Sequence, residues 1–416
     1  MAQLTDDAFA FGGELMPVDQ AIALIGERLP VLAGVEDAPL WSADGRVLAH
    51  DVVARVALPP FDNSAVDGYA TRTADLSPGS ATRLPVRGRV AAGHGAAALD
   101  PGSAARVFTG APVPVGTDVV FMQEDVTADG DHVLLPPGLK PGANLRRAGE
   151  DIERGAVALL AGRRLRPQDV ALAAALGCAS LQVRRRLRVG LFSTGDELRE
   201  PGETLGPAQI YDSNRALLAA LLARMGVEVS DLGRLRDDRD AVQAALSEAA
   251  GAHDLLVTSG GVSMGEEDHV RAAVEATGAM VFWRLAIKPG RPVALGVVDG
   301  TPLVGLPGNP VAVFVTGAHV LRPLVARLRG EALEPLPAFP VRCGFSYRKK
   351  AGRREYVRVS LRQDGDGGCT AAKHPRDGAG VLSSLTETAG LIELEEDRLT
   401  VEPGESARFI PYGLLW

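Results

Sequence analysis

The residue types best suited to chemistry lie at 255–268, where an apolar run gives way to a glycine turn and then to acids. The run at 255–257 predicts a buried strand that ends at Ser259, Gly260 and Gly261, and the acidic stretch closes with Asp268. Backbone amides in such a turn can approach a phosphate closely, and an acid a few residues on can hold the accompanying magnesium ion. The alternative is an ordinary strand-to-helix turn whose acids cap the next helix.

Two later segments add positive charge and a helix start. Lys288 and Arg291 flank a Pro-Gly turn in the sequence KPGRP, and the sequence LPGNP at 306–310 brings Asn309 and Pro310 to the start of a predicted helix. Asparagine suits the N-cap and proline the first helical position. The free amides of that helix start favour an anion, and arginine suits bidentate oxyanion binding. For the two cations, a surface ion pair is the alternative.

The elements that must position these residues are apolar runs that predict strands. They lie at 187–192, 255–257, 280–283, 293–298 and 303–305. Three of them end in polar turns that contain glycine: STGDE at 193–197, SGG at 259–261 and LPGNP at 306–310. In an open parallel sheet, ligands bind at the carboxyl ends of the strands. The pattern therefore predicts a site for a phosphorylated, magnesium-bound ligand.

Helical patterns alternate with these strands, at 214–225, 239–250, 268–277 and 310–328. This alternation is typical of right-handed βαβ units in a doubly wound sheet. No strand is followed by GxGxxG, and no GxxxxGK[ST] occurs, so the dinucleotide fingerprint and the P-loop are both absent from the sequence. Nucleotide binding, if present, must use the SGG turn.

The rest of the chain predicts additional domains, and 416 residues suffice for roughly three. We expect a multi-domain protein that combines α/β and β structure. A central doubly wound α/β domain spans 187–330, a proline-rich linker spans 331–340, and a C-terminal β domain spans 341–416. The N-terminal part divides into a β-rich domain at 51–145 and a discontinuous N-terminal and linker domain at 15–50 and 146–186, with helices at 17–29 and 167–176.

Composition excludes several classes of function. The net charge is −8, from 44 basic and 52 acidic residues, and this balance does not indicate binding of nucleic acid. No uninterrupted apolar run approaches the about 18 to 20 residues of a membrane span, and the N-terminus shows no signal sequence. The three cysteines form no CxxC pair and the seven histidines show no ligand spacing, which argues against zinc. A reducing, cytoplasmic location is expected.

Seven motifs in a fixed order carry a family resemblance that spans about residues 15–410. They are FDNSAVDGYA at 61–70, FTGAP at 108–112, RAGEDI at 147–152, STGDEL at 193–198, SGGVS at 259–263, KPGRP at 288–292 and LPGNP at 306–310. In these motifs the chain resembles the molybdopterin molybdenumtransferase family, which includes the C-terminal domain of gephyrin.

The resemblance implies that the protein inserts molybdate into adenylyl-molybdopterin and releases AMP in a Mg²⁺-dependent reaction. It also implies that the 187–330 region is similar to the adenylyl-pterin-binding domain of molybdopterin adenylyltransferases. An elongated homodimer is expected, with a cleft shared between this domain and segments of the partner chain. Molybdopterin adenylyltransferase and molybdoenzymes would be the pathway partners.

Residue roles follow from the resemblance, position by position. The residues implied in catalysis are Asp67, Thr109, Asp151, Glu197, Asp237, Asp268, Lys288, Arg291 and Arg358. Among them, the metal ligands are Asp268, Glu197 and Asp237. The residues implied in binding the pterin adenylate are Ser193, Thr194, Gly195, Ser259, Gly260, Gly261, Ser263, Pro307, Asn309 and Pro310. Structural alternatives remain: helix capping around Asp237, turn chemistry at Asp67, a cap at Asp151, and turn shaping by the two prolines.

The tail departs from the family pattern at Ala379, where relatives usually have serine. The missing hydroxyl removes one hydrogen bond, worth roughly 0.5–1.5 kcal/mol, and Ser383 is the nearest hydroxyl that could compensate. Many relatives also carry lysine at the position of Arg291.

Three other functions stay open: adenylyl transfer to molybdopterin, a peptide-binding scaffold of the gephyrin type, and a paralogue that handles tungstate. The β-rich region and the tail argue against the first.

Overall fold

The computed structural model of the protein describes residues 15–235, 239–260, 269–365 and 367–416. Up to residue 186 the chain forms short strands and two helices. In chain order they are α1 Val18–Arg28, β1 Val35–Pro39, β2 Val52–Val53, β3 Asn63–Ser64, β4 Gly68–Thr71, β5 Thr82–Val90, β6 Ala104–Val107, β7 Val119–Met122, β8 Thr127–Asp129, β9 His132–Leu135, β10 Leu145–Arg146, β11 Val157–Leu159, α2 Pro167–Ala175 and β12 Ser180–Arg184.

Two packing units form within this part. Strands β4 to β9 make a six-stranded sheet in the order β7-β4-β6-β5-β9-β8, around buried residues such as Phe121 and Leu135. Strands β1 and β2 pair antiparallel with β12 and β11, so the chain before residue 54 joins the chain after residue 156. Leu48 and Leu165 lie in the core of that second unit.

The central part of the chain alternates strands with helices, as its apolar runs predict. Its elements are β13 Arg188–Thr194, β14 Leu198–Arg199, β15 Ile210–Tyr211, α3 Ser213–Arg224, β16 Glu228–Leu235, α4 Arg239–Ala252, β17 Leu255–Ser259, α5 His269–Thr277, β18 Gly278–Arg284, β19 Ile287–Lys288, β20 Pro292–Val298, β21 Thr301–Leu306, α6 Pro310–Thr316 and α7 Arg322–Leu328. Six strands form one sheet in the order β16-β13-β17-β21-β20-β18, with an apolar core on each face.

This sheet is mixed, whereas the sequence analysis expected a parallel one. Strand β20 runs antiparallel to both of its neighbours, β18 and β21. Only Asp299 and Gly300 connect β20 to β21, and both have positive φ angles, 47° and 82°. A two-residue turn of this type makes a hairpin, because a parallel connection needs a dozen residues or more. Strand β18 still ends at the same edge as β21, which brings the KPGRP segment there.

Helices α6 and α7 are joined by a π-helical turn, Gly317–Leu321, into the continuous helix expected at 310–328. Pro323 lies just after this turn and has no N–H to donate to the preceding turn, which favours an irregular geometry there. The helix has the length and mean hydropathy, 1.4, of a membrane span, but 89% of that window is buried inside the protein. Its apolar side chains are therefore covered by the fold.

The C-terminal part is a small β structure. Its elements are β22 Phe339–Cys343, β23 Tyr347–Arg348, β24 Arg354–Gln363, β25 Cys369–Lys373, α8 Ser383–Thr386, β26 Gly390–Leu394, β27 Thr400–Val401 and β28 Ser406–Pro411. The sheet order is β19-β24-β25-β22-β28-β26, and β26 also pairs with β24, so five strands close on themselves. Strand β19 comes from the KPGRP segment and pairs parallel with β24, which ties the central part to this barrel.

Candidate functional site

Three neighbouring parallel strands, β13, β17 and β21, end in a row. In the register of the sheet, Ser193 lies beside Ser259, and Ser259 lies beside Leu306. The amide of Gly260 donates to the carbonyl of Leu306 at 3.1 Å, and the Ser259 hydroxyl donates to the carbonyl of Pro307 at 3.2 Å. Ser259 and Gly260 are therefore bonded to the LPGNP turn at the carboxyl edge of the sheet, where the sequence predicts a ligand site.

This edge also holds buried hydroxyls. The side-chain oxygens of Ser193, Thr194 and Thr258 are buried and make no hydrogen bond to a described residue. Buried polar groups normally find a partner. This edge of the sheet thus has unused hydrogen-bonding capacity beside the two turns.

A cleft of about 550 Å³ opens at this edge. It gathers residues of the central part and of the C-terminal barrel, among them Gly260, Lys288, Pro289, Gly290, Arg291, Pro307, Gly308, Asn309, Tyr347, Glu355, Tyr356, Arg358, His374, Asp377 and Ala379. Six residues singled out in the sequence therefore meet in one cleft: Gly260, Lys288, Arg291, Pro307, Asn309 and Arg358. Its size is that of a site for a small molecule.

The ammonium group of Lys288 has two partners in this chain. Its Nζ lies 3.0 Å from Oε2 of Glu355 and 3.4 Å from the hydroxyl of Tyr347. The Tyr347 hydroxyl donates to the same carboxylate oxygen at 2.8 Å. This contact exists because β19 pairs with β24 and sets Lys288 opposite Glu355. The lysine still has a half-exposed side chain and faces the cleft.

The electrostatics of this cluster keep the lysine charged. Partial burial lowers the pKa of Lys288, but the hydrogen bond to Glu355 and the charges of Glu355 and Tyr347 outweigh it and raise the pKa above its usual value. Burial and the Glu355 carboxylate raise the pKa of Tyr347. Glu355 is 1% exposed, and its Oε1 has no partner among the described residues. A buried carboxylate thus fixes the cation at the cleft wall.

Arg358 lies in β24 and is 6% exposed. Its guanidinium donates to the carbonyls of Gly378 and Arg376, at 3.1 and 3.0 Å. Burial lowers the pKa of this arginine, and Nε has no partner in the described chain. Arg358 therefore holds the loop at 376–380 at the rim of the cleft while its charge lines the cleft.

That loop carries the departure at Ala379. Ala379 lines the cleft, and its carbonyl accepts a hydrogen bond from the amide of Val311 at 3.0 Å. Ser383, the hydroxyl proposed as compensation, is not among the cleft residues and accepts from Arg376 at 3.1 Å instead. Ser383 begins helix α8, beyond the loop residue Ala379 that lines the cleft.

The start of helix α6 differs from the expectation in its hydrogen bonds. Asn309 is the N-cap and Pro310 the first residue, as expected, but the Asn309 side chain makes no capping bond. The amide of Val311 donates to the carbonyl of Ala379, so it is not free to bind an anion. Asn214 holds the preceding turn by donating to the carbonyl of Gly308 at 2.7 Å. The turn is thus fixed by its neighbours, and Asn309 remains exposed at the cleft.

Glu197 is the described member of the expected metal set. It is exposed in the turn after β13, where Gly195 has a φ of 137°, a backbone conformation that favours glycine. Exposed carboxylates that can be joined by phosphate oxygens suit Mg²⁺, a hard cation. Within the described ranges, no three His, Cys, Asp or Glu residues cluster as metal ligands. Four expected site residues lie outside the described residues: Asp237, Gly261, Ser263 and Asp268.

The three N-terminal motifs form a second group, away from the lining of the cleft. Oδ1 of Asp67 accepts from the amide and the hydroxyl of Thr109, both at 2.8 Å, which lowers the pKa of Asp67. Asp62 accepts from Arg147 at 2.6 Å, which joins the motif at 61–70 to that at 147–152. Asp151 is exposed beside this junction. The structure therefore brings these residues close to one another but does not place them in the cleft of the same chain.

Sequence reasoning missed three cleft residues: Tyr347, Glu355 and His374. Each belongs to the barrel, where no motif with chemical spacing occurs. His374 is 5% exposed and is bonded to Glu387 at 2.9 Å. The one usable signal was Glu355 itself, an acid at the start of an apolar strand.

Comparison with known proteins agrees with this architecture. Three family models match: the MoeA N-terminal region (domain I and II) over 16–177, a probable molybdopterin binding domain over 190–327, and the MoeA C-terminal region (domain IV) over 340–412. The crystal structure of the molybdopterin biosynthesis MoeA protein of Pyrococcus horikoshii OT3 is similar with a TM-score of 0.81 and 30% identity, covering 96% of this chain and all of that one. The fold is thus of the MoeA class, a central α/β domain between an N-terminal region and a C-terminal domain.

The chain is also similar to curated enzymes over nearly its whole length. It is 38% identical over 404 residues to the molybdopterin molybdenumtransferase of Haemophilus influenzae, covering 96% of this chain and 100% of that protein. It is 38% identical over 379 residues to molybdopterin molybdenumtransferase 2 of Mycobacterium tuberculosis, covering 88% and 92%. The chain belongs to the molybdopterin molybdenumtransferase family, a family of transferases of molybdenum cofactor biosynthesis.

Proposed function

We propose that the protein inserts molybdate into adenylyl-molybdopterin and releases AMP and the molybdenum cofactor. The observation that carries this proposal is the cleft, in which two cations of the KPGRP segment stand beside the SGG and LPGNP turns of the matched molybdopterin-binding region. The hydroxyls of Ser193 and Thr194 at this edge of the sheet, which have no partner among the described residues, can donate to a phosphate, and cations suit a second oxyanion such as molybdate. The cleft therefore has places for both substrates.

In this mechanism the side chains bind and orient, and none acts as a nucleophile. Lys288 and Arg291 hold the oxygens of molybdate and of the phosphate, and Arg358 adds charge from the barrel. Glu355 keeps the ammonium of Lys288 in place. Fixed cations stabilise the negative charge that grows on the departing AMP, so catalysis consists mainly of positioning and electrostatics.

Mg²⁺ belongs to the proposal as the cofactor. Glu197, with Asp237 and Asp268 from outside the described residues, would hold it together with phosphate oxygens. When bound, it would polarise the phosphoanhydride and neutralise charge on the leaving group. The proposal also includes a cytoplasmic homodimer that receives its substrate from molybdopterin adenylyltransferase and supplies molybdoenzymes.

The test is AMP release from adenylyl-molybdopterin in magnesium buffer, with molybdate, with tungstate and without either. Molybdate-dependent release is expected, with loss on chelation of Mg²⁺ and a drop of at least about tenfold in Lys288→Ala, which removes a charged contact. Arg83→Ala is the matched control, since Arg83 is an exposed arginine paired with Asp129 in the β-rich sheet. Binding of the adenylate without any release on adding molybdate would contradict the proposal, and release with tungstate alone would point to that oxyanion.

A further inference from the structure

A second cavity, of about 520 Å³, lies between helix α7, the segment at 331–337, the loop after β11 and the last residues of the chain. Its lining shares no residue with that of the catalytic cleft. Five arginines line it, and we call it the arginine cavity: Arg163, Arg164, Arg166, Arg322 and Arg329. Two glutamates, Glu331 and Glu334, also line it. In a protein of net charge −8, this is a local excess of positive charge.

Arg163 and Arg166 pair with Asp169, and Arg329 pairs with Glu331, whereas two of the five guanidinium groups lack a carboxylate partner in the described chain. Arg164 donates to the carbonyl of Arg224 at 2.8 Å, and Arg322 donates to the carbonyl of Glu334 at 3.2 Å. Among the described residues, neither forms an ion pair within 4 Å. The Nε atoms of Arg163 and Arg322 are buried without a hydrogen bond to any residue that the structure describes. Positive charge in this cavity is therefore only partly compensated by the protein.

The pKa values of the two most buried arginines agree with this imbalance. Burial lowers the pKa of Arg322; the charge of Glu331 opposes this effect, and the charge of Arg329 adds to it. Burial also lowers the pKa of Arg329, although Glu331 opposes the effect. Arg215 is the contrast within the same chain: it is 7% exposed, as Arg329 is, but three carboxylates surround it and its pKa is raised. An anion in the arginine cavity would supply the missing counter-charge.

The remaining wall of the cavity is apolar and includes an aromatic ring. Met225, Val325 and Leu415 line it together with Trp416. Trp416 packs edge-on against Phe314, with ring centroids 5.6 Å apart. A ligand that fits both walls has an oxyanion at one end and an apolar group at the other.

We propose that the arginine cavity is a second ligand site that binds a phosphate monoester carrying an aromatic or aliphatic group. Guanidinium groups match the geometry of phosphate oxygens, and several of them around one ligand favour a dianion over a monoanionic carboxylate. The volume suits a small organic molecule. This site is separate from the catalytic cleft and does not depend on the proposed reaction.

The test uses phenyl phosphate as the probe, with inorganic phosphate and benzoate as comparisons at fixed ionic strength. Calorimetry on the full chain is expected to show saturable binding of phenyl phosphate that is tighter than that of either comparison. Arg164→Gln and Arg322→Gln should each weaken binding at least about tenfold, since each removes a charged hydrogen-bond donor. The double variant Lys288→Ala/Arg291→Ala should keep the binding event that the arginine-cavity variants weaken, and Arg83→Gln is the control for net charge.

Trp416 provides an independent readout. Phenyl phosphate should change the tryptophan fluorescence of the wild type, and Trp416→Phe should abolish that change while calorimetry still detects binding. Unchanged affinity in the cavity variants, or loss of binding in Lys288→Ala/Arg291→Ala, would overturn the proposal. Arg164→Gln decides the matter if Arg322→Gln fails to fold, because Arg164 is partly exposed and its side chain donates to a backbone carbonyl. AMP release by Arg164→Gln is measured in parallel. Because the arginine cavity does not depend on the proposed reaction, this measurement separates the second ligand site from the proposed molybdate insertion.

Discussion

At the scale of single residues, the central finding is the cluster of Lys288, Glu355 and Tyr347. A cation that must hold an oxyanion needs both its charge and a fixed position. The buried carboxylate of Glu355 stabilises the charge of the lysine and fixes its position, because one of its oxygens accepts hydrogen bonds from the ammonium and from the tyrosine hydroxyl. Unlike a surface ion pair, which contributes little, this contact has one partner that is 1% exposed. We therefore regard Glu355 as the positioning residue of the cleft.

Glu355→Gln is expected to raise the KM for molybdate by roughly tenfold, since one charge-assisted hydrogen bond is worth about 1.5 kcal/mol. Burial, which lowers the pKa of Lys288, would then be unopposed by the carboxylate. The raised pKa keeps Lys288 charged up to a higher pH. Loss of this raised pKa should therefore move the basic limb of the pH profile of AMP release to lower pH. AMP release as a function of pH measures both effects. Tyr347→Phe is the control with a smaller shift, and an unmoved limb in Glu355→Gln would contradict this role.

At the scale of elements, the KPGRP segment depends on a glycine. Gly290 has a φ of 108°, and a Cβ there would lie 2.5 Å from Cγ2 of Thr316 on helix α6. The turn therefore packs tightly on the helix whose first residues line the same cleft. Both ends of the segment are held in strands, β19 and β20, so the cations at its ends have little freedom to move.

Gly290→Ala is expected to destabilise the protein by about 1–3 kcal/mol, from a strained backbone and the contact with Thr316. The midpoint of chemical denaturation measures this loss. Gly352→Ala is the matched control, since Gly352 also has a positive φ, 78°, but no atom of the described residues lies within 4 Å of its Cβ position. A loss in Gly290→Ala no larger than that in Gly352→Ala would show that the packing against Thr316 is unimportant.

At the scale of the whole molecule, the family motifs form two groups. The segments STGDEL, SGG, KPGRP and LPGNP lie around the carboxyl edge of the central sheet, whereas the three N-terminal motifs bond to one another in the first part of the chain. The resemblance assigns both groups to one reaction. A homodimer in which one chain completes the cleft of the other would reconcile these two facts, and that arrangement is part of the proposed function.

Subunit complementation tests this arrangement. Asp67→Ala and Lys288→Ala should each be inactive alone, while an equal mixture after subunit exchange should recover about a quarter of the wild-type AMP release. Half of the dimers would then be mixed, each with one intact cleft of two. A mixture of Lys288→Ala and Arg291→Ala, which both affect the same cleft, should recover nothing. No recovery by the first mixture, with exchange verified, would rule out a shared cleft.

How much the sequence could predict is clear from particular elements. Apolar periodicity placed β13, β17 and the helices correctly within a few residues, because these patterns are local. The glycine turns were placed at one edge of the sheet because parallel strands share that edge. The antiparallel course of β20 was missed, although the pair Asp299-Gly300 is a hairpin signal. The position of Ser383 at the start of helix α8 was not predicted, because spacing along the chain does not reveal a helical turn.

The sequence by itself determined the family, the strand-and-helix alternation and the cations of the cleft, since each depends on residues close together in the chain. Only the tertiary structure decided what those cations touch. Lys288 meets Glu355, 67 residues later, because β19 leaves the central sheet and joins the barrel. The five arginines of the second cavity also come from two distant segments. Contacts between remote segments arise from packing, and no local pattern encodes them.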